Sequence, residues 1–193
     1  MSNTKRVVIV GIAGVGKSTV VNEVLSILET KDIKVDNLTF GTIMFEEAQK
    51  LGISDRDEMR TLSTDKQQEL QINAAKSIAN IESDIVIIDT HLFIKTTAGY
   101  MPGLPISILE SLLPTNLILV EALPQDVLDR RSNDPTRNRD ATTIESIELD
   151  NQIARSMLSS AGVLTGASLL VVLNSDGKSK EAAESIVNSL DLD

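Results

Sequence analysis

Hydrophobic positions fall along the chain in two alternating patterns. Four short runs are almost continuously apolar: "VVIV" (7–10), "IVII" (85–88), "LILV" (117–120) and "LLVVL" (169–173). Runs without polar alternation predict strands buried on both faces, the inner strands of a parallel sheet covered by helices. "IKVDNLTF" (33–40) is more polar and predicts a fifth strand nearer an edge. Between these runs the period changes. In "KSTVVNEVLSILET", Val20, Val21, Val24, Leu25 and Leu28 share one stripe at helical spacing. "TDKQQELQINAAKSIANI" opens on Thr64 and Gln67, the spacing of a capping box. "PQDVLDRRS" starts on Pro124, which suits a first helical turn. "TIESIELDNQIARSMLSSAGVLTG" predicts a long helix ending near Gly162 to Gly166, and "SKEAAESIVNSL" a last one. Strand–helix alternation of this kind predicts a doubly wound α/β fold. No repeat, low-complexity tract or linker divides residues 1–193, so one domain is expected.

Composition narrows the classes. The chain has 193 residues with 41% hydrophobic and only 2% aromatic, so its core must be Val, Ile, Leu and Ala. Eighteen basic against 28 acidic residues give a net charge of −10, the wrong sign for a general nucleic-acid binder. Cysteine is absent, which removes disulfides and thiolate zinc sites. No apolar run approaches the ~20 residues of a membrane span. A cytoplasmic protein is expected, and "NLT" at Asn37 is then a chance match to a glycosylation pattern.

The candidate chemistry begins at "GIAGVGKST" (11–19), between a predicted strand and a predicted helix. Gly11, Gly16, Lys17 and Ser18 fit G-x-x-x-x-G-K-[ST]. The glycines let backbone N–H groups turn around phosphate oxygens, Lys17 reaches the β- and γ-phosphates, and the Ser18 hydroxyl suits Mg²⁺. The following helix aims its positive end at the same place. Asp89 ends the "IVIID" strand, on the same sheet edge as the cradle if the strands are parallel, and is a second candidate Mg²⁺ ligand. Next to it stands His91, the sole histidine, suited more to a substrate or structural contact than to direct chemistry. Arg130, Arg131, Arg137 and Arg139 crowd into ten positions, with Arg155 on the helix beyond. Guanidinium forks of this kind neutralise a transferring phosphoryl group. The irregular stretch around 131–143 is expected to be a short lid carrying them. Arg56 and Arg60 in "SDRDEMR", four apart, indicate a second phosphate-bearing ligand. "KTTAGYMPGLP" predicts a shaped loop in which Lys95 and Tyr100 wall a pocket. "ISILESLL" (106–113) fits an interface or an ordinary core helix equally.

The guanine-nucleotide signatures are missing: Asp89-Thr-His-Leu is not D-x-x-G, and "NSDG" at 174–177 lacks the lysine of N-K-x-D. A small P-loop kinase with two phosphate ligands remains. The ordered set "GIAGVGKST", "FGTIMFEEA", "DRDEMRTL", "IIDTHLFIKTTAGYMPGLP", "DPTRNRD" and "GVLTGASLLVVLNSDG" resembles the archaeal-type adenylate kinases over nearly the whole chain. The resemblance implies the reaction MgATP + AMP ⇌ 2 ADP, a three-layer P-loop kinase fold with a five-stranded parallel sheet, an AMP-binding segment near 39–80, and a homotrimer. It implies that Gly11, Gly14, Val15, Gly16, Lys17, Ser18 and Thr19 hold ATP, with Ser18 and Asp89 toward Mg²⁺ and Asn174 near the adenine. It implies that Gly41, Thr42, Arg56, Arg60, Asp89, His91 and Lys95 handle AMP, and that Arg130, Arg137 and Arg139 join Lys17 in catalysis. The chain departs from the bacterial pattern in three ways. The lid is short and Cys-free, so no zinc is expected; "FGTIMFEEA" has no arginine; and Ala13 stands where many relatives have proline. Two other assignments stay open: a kinase for CMP or UMP, and an adenylate-kinase-like ATPase that assembles a protein partner.

Overall fold

The computed structural model describes residues 4–133 and 143–192, the Arg60 side chain excepted. The elements run β1 (Lys5–Val10), α1 (Lys17–Glu29), β2 (Val35–Thr39), α2 (Phe40–Lys50), α3 (Arg56–Thr61), α4 (Thr64–Ala79), β3 (Ile85–Asp89), β4 (Phe93–Thr96), β5 (Gly99–Pro102), α5 (Ile106–Leu112), β6 (Asn116–Glu121), α6 (Pro124–Ser132), α7 (Ile144–Thr165), β7 (Ser168–Leu173) and α8 (Ser179–Ser189). Five of the strands pair in parallel in the order β2-β3-β1-β6-β7. Their continuous apolar runs are explained by helices on both faces. Val7, Ile9, Ile87 and Ile118 pack into one core with α1 and α8, through Val20, Val24, Leu28, Ala183 and Ile186. Val8, Val10, Val86, Ile88 and Leu117 point the other way, onto α4, α5 and α7 through Ile78, Leu109, Ala154 and Leu158. The result is a three-layer α/β/α fold. Each fully buried aliphatic side chain contributes about 1.5–3 kcal/mol. A third, smaller core of Ala48, Met59 and Leu70 lies within the expected AMP-binding segment and ties α2, α3 and α4 together. Ser77 of α4 also donates to Glu47 of α2 at 2.7 Å.

Three expectations differ from the structure. The "LLVVL" strand is not an inner strand. β7 is an edge, and Leu169, Val171 and Leu173 are about half exposed on the face that α7 only partly covers. The "KTTAGYMPGLP" loop is a two-stranded antiparallel hairpin, β4–β5, with Lys95 opposite Tyr100 and the turn at residues 97–98. Its Gly and Pro marked the turn and the strand ends rather than the absence of strands. The Thr64 capping box does not form. α4 is entered from Ser63, and the Gln67 side chain donates instead to the Leu62 carbonyl at 2.9 Å. The 106–113 run becomes α5 with Ile108, Leu109 and Leu112 buried, a core helix that leaves only Ile106 and Leu113 substantially exposed among its large apolar residues. Among the described residues no helix is long and apolar enough to cross a membrane.

Candidate active site

The cradle forms where β1 ends and α1 begins. Gly16 precedes α1 at φ 79°, a left-handed conformation that glycine adopts without strain. A Cβ on Gly11 would lie 2.6 Å from the Val120 carbonyl, so the loop passes too close to β6 for any side chain there. α1 has no side-chain cap and no acidic residue in its first turn. Its first N–H groups are therefore left for an anion. Ser18 and Thr19 are exposed at that same turn.

Asn174, expected near the adenine, is placed under the cradle. It is buried at 4% exposure, and its amide donates to the Val15 carbonyl at 2.8 Å. Its own N–H donates to the Glu121 carbonyl at 2.7 Å. A Cβ on Gly16 would fall 2.5 Å from the same amide. Asn174 thus fixes the loop backbone rather than presenting itself to a ligand. Asn174→Ala should leave the Val15 carbonyl buried and unpaired, at a cost of about 1–3 kcal/mol in stability. ATP should then raise the melting temperature less than in the wild type. Unchanged ATP stabilisation in thermal melts would show that the amide is not what holds the loop.

The register sets the second half of the site. Asp89 pairs level with Ile9 of β1 and with Thr39 of β2, at the carboxyl end of the sheet. The parallel strands place it at the cradle's edge of the sheet, as expected, and there its carboxylate contacts the Lys17 ammonium directly. Burial pushes Lys17 down to about 8, while the carboxylate beside it favours the charged form. Lys17 is thereby held aimed across the cradle mouth.

From the side of β2, α2 and α3 bring Thr42 and Arg56 together. The Arg56 guanidinium donates to the Thr42 hydroxyl at 3.1 Å and lies 5.2 Å from the centre of the Phe45 ring. Gly41 faces open space. α3 is capped by Asp55, whose side chain accepts from the Asp57 N–H, and carries Arg60 one turn after Arg56. His91 is exposed just beyond Asp89. Lys95 is drawn elsewhere: it donates to Asp150 of α7 at 3.0 Å and to Ser146 at 3.2 Å.

The arginines after β6 lean onto the cradle. Arg130 pairs with Asp176 and donates to the Gly14 and Asn174 carbonyls, each at 3.3 Å. Arg131 donates to the Ala13 carbonyl at 2.8 Å. Arg137 and Arg139 lie outside the described residues. Arg155 does not join the cluster. It grips Glu121, the last residue of β6, with both oxygens of the carboxylate engaged. Glu121, Asp150 and Asp176 are site neighbours that the sequence reading passed over. Glu121 carries the signal that marked Asp89, an acid closing a continuously apolar strand. Asp150 interrupts the buried stripe Ile147, Ala154 and Leu158 of α7.

Residues 10–148 match a family model described as an AAA domain. The adenylate kinase of Thermoplasma acidophilum is 41% identical over 189 residues, covering 97% of this chain and 100% of that protein. The adenylate kinase of Sulfurisphaera tokodaii is 40% identical over 189 residues, 95% of this chain and 97% of that one. Among solved structures, the shikimate kinase of Acinetobacter baumannii in complex with shikimate superposes with a TM-score of 0.60 at 14% identity, over 100% of this chain and 97% of that one. That likeness is one of fold. Cradle, register and full-length similarity agree, and the chain belongs to the adenylate kinase family.

Proposed function

We propose that the protein catalyses the reversible reaction MgATP + AMP ⇌ 2 ADP by direct in-line transfer. The observation that carries this is the contact of Lys17 with Asp89 at the shared end of β1 and β3, beside β2, whose carboxyl end leads into the α2 that carries the Thr42–Arg56 pair. One site is a phosphate cradle, and the other offers a guanidinium beside open space at Gly41. Two phosphate-bearing ligands then meet end to end.

In this reading the α1 N-terminus and the Gly14–Thr19 backbone bind the ATP phosphates. Lys17 turns from Asp89 to the transferring group, and Arg130, with Arg137 and Arg139, neutralises the charge spread over its equatorial oxygens. Thr42, Arg56, Arg60 and His91 receive AMP, whose phosphate oxygen is the nucleophile, so no strong base is required. The donor set fits Mg²⁺. Ser18 offers one hydroxyl and Asp89 one carboxylate, the protein share for an ion that takes its other ligands from phosphate and water. When bound, the ion would offset β- and γ-phosphate charge. The protein is a cytoplasmic enzyme in this proposal. Association of copies, which the family resemblance implies, would use the surface around Val163, Leu164, Leu169 and Val171. Ser156 to Leu173 holds no charged residue, and two molecules of net charge −10 meet most readily over an uncharged surface.

The test supplies ATP and Mg²⁺ with AMP, CMP, UMP or GMP in separate reactions and quantifies diphosphates. Two ADP per AMP consumed, with little turnover of the others, is expected. Preferred turnover of another monophosphate would reassign the acceptor. ATP hydrolysis indifferent to every acceptor would overturn the transfer reaction.

A further inference from the structure

One carboxylate on α7 ties down both strands of the β4–β5 hairpin. Lys95 and Tyr100 are direct partners across the hairpin. The Tyr100 hydroxyl donates to Asp150 Oδ1 at 2.6 Å, and the Lys95 ammonium donates to the same oxygen at 3.0 Å. The Tyr100 ring meets Phe93 edge-on, with centroids 4.9 Å apart, and Phe93 packs against both main cores. Asp150 is 6% exposed on the buried stripe of α7, where a carboxylate is costly unless its hydrogen bonds are filled. Here two donors on two strands meet one of its oxygens, and the hairpin cannot shift without weakening the pairing of that charge.

The hairpin in turn sets the chain that leaves Asp89. At its base the Gly103 N–H donates to the Leu92 carbonyl at 2.7 Å. Gly103 sits so close to the His91 carbonyl that any Cβ would overlap it. The path of residues 90–92 is therefore pinned between the sheet at Asp89 and the hairpin at Gly103.

We propose that Asp150 is a positioning residue for the acceptor nucleotide: through Tyr100 and Lys95 it fixes the hairpin, and through the hairpin the Asp89–Leu92 segment that receives the monophosphate. The inference rests on the acceptor placement proposed above. It gives Lys95 the part of a strut held by Asp150, in place of the AMP contact that the family resemblance implies.

Initial-rate kinetics with AMP and ATP varied separately test this in Asp150→Ala, Asp150→Asn and Arg56→Ala. Asp150→Ala should raise the AMP KM about tenfold, the loss of charge-assisted hydrogen bonds, with ATP KM and kcat within about twofold. Asp150→Asn, nearly the same shape, keeps an acceptor for Tyr100 but drops the charge facing Lys95. It should give an intermediate rise even if the alanine variant folds poorly. An unchanged AMP KM in both variants, or a drop in kcat alone, would overturn the proposal. So would a lower AMP KM, since it would mean that Lys95, once released, binds the phosphate itself. Arg56→Ala separates the two premises. If it raises the AMP KM and the Asp150 variants do not, the strut fails and the acceptor placement stands. If none of the three moves the AMP KM, the placement fails.

Discussion

Lys17→Ala should lower kcat about 10²–10³-fold, the loss that follows removal of one preorganised charge from a phosphoryl-transfer site. The size of the effect comes from the setting. The Lys17 side chain is 11% exposed, anchored at the first position of α1, and already desolvated before any ligand arrives. An ammonium held in that way needs no reorganisation when charge develops on the γ-phosphoryl oxygens. Asp89 is its partner before binding, and the phosphate replaces one anion by another. The AMP KM should stay within about twofold, because the Thr42–Arg56 pair is carried by α2 and α3, away from the loop. Rates at saturating ATP and AMP measure the first expectation and AMP titrations the second. Near-wild-type turnover would remove Lys17 from the reaction. A large rise in AMP KM alone would move it to the acceptor side.

The sheet was legible because burial on both faces leaves an unbroken apolar signature: four such runs and one more polar run mapped onto the five parallel strands, the polar one at an edge. β7 shows where that signal misleads. Leu169, Val171 and Leu173 are as apolar as inner-strand residues yet half exposed, and hydrophobicity does not say what covers a strand. The cradle was legible residue by residue, since φ of 79° at Gly16 and the approach of Gly11 to Val120 leave little choice but glycine. The place of Asp89 at the cradle's sheet edge followed from strand direction, whereas its ion pair with Lys17 did not. Side chains that act on other side chains were not legible. Asn174 looks like a loop residue until β7 carries it beneath Val15. Lys95 looks like a free cation until α7 presents Asp150, 55 residues later. Arg155 belongs by sequence to the arginine cluster, but helical phase turns it to the sheet, where it meets Glu121.

That last pair carries the second large expectation. Arg155→Ala should destabilise the fold by about 2–3 kcal/mol at pH 7, whereas Glu121→Gln should cost about 1 kcal/mol or less. The asymmetry comes from burial. The Glu121 side chain is 5% exposed and that of Arg155 63%. Without its carboxylate the guanidinium turns into water; without its guanidinium the carboxylate stays buried beside the cradle. The exposure of Arg155 keeps the expected loss below that of a fully enclosed pair. Adding Glu121→Gln to Arg155→Ala should restore most of the loss at pH 7. Urea denaturation of the four proteins at pH 7 measures each quantity. Equal, small losses in both single variants would mean that the pair is a surface contact. Because the Glu121 carbonyl also accepts from Asn174, which holds Val15, the same substitution should weaken ATP binding in proportion to the loss of order at the end of β6. The ion pair would then matter to the reaction by keeping the floor of the cradle in place, with neither partner touching the nucleotide.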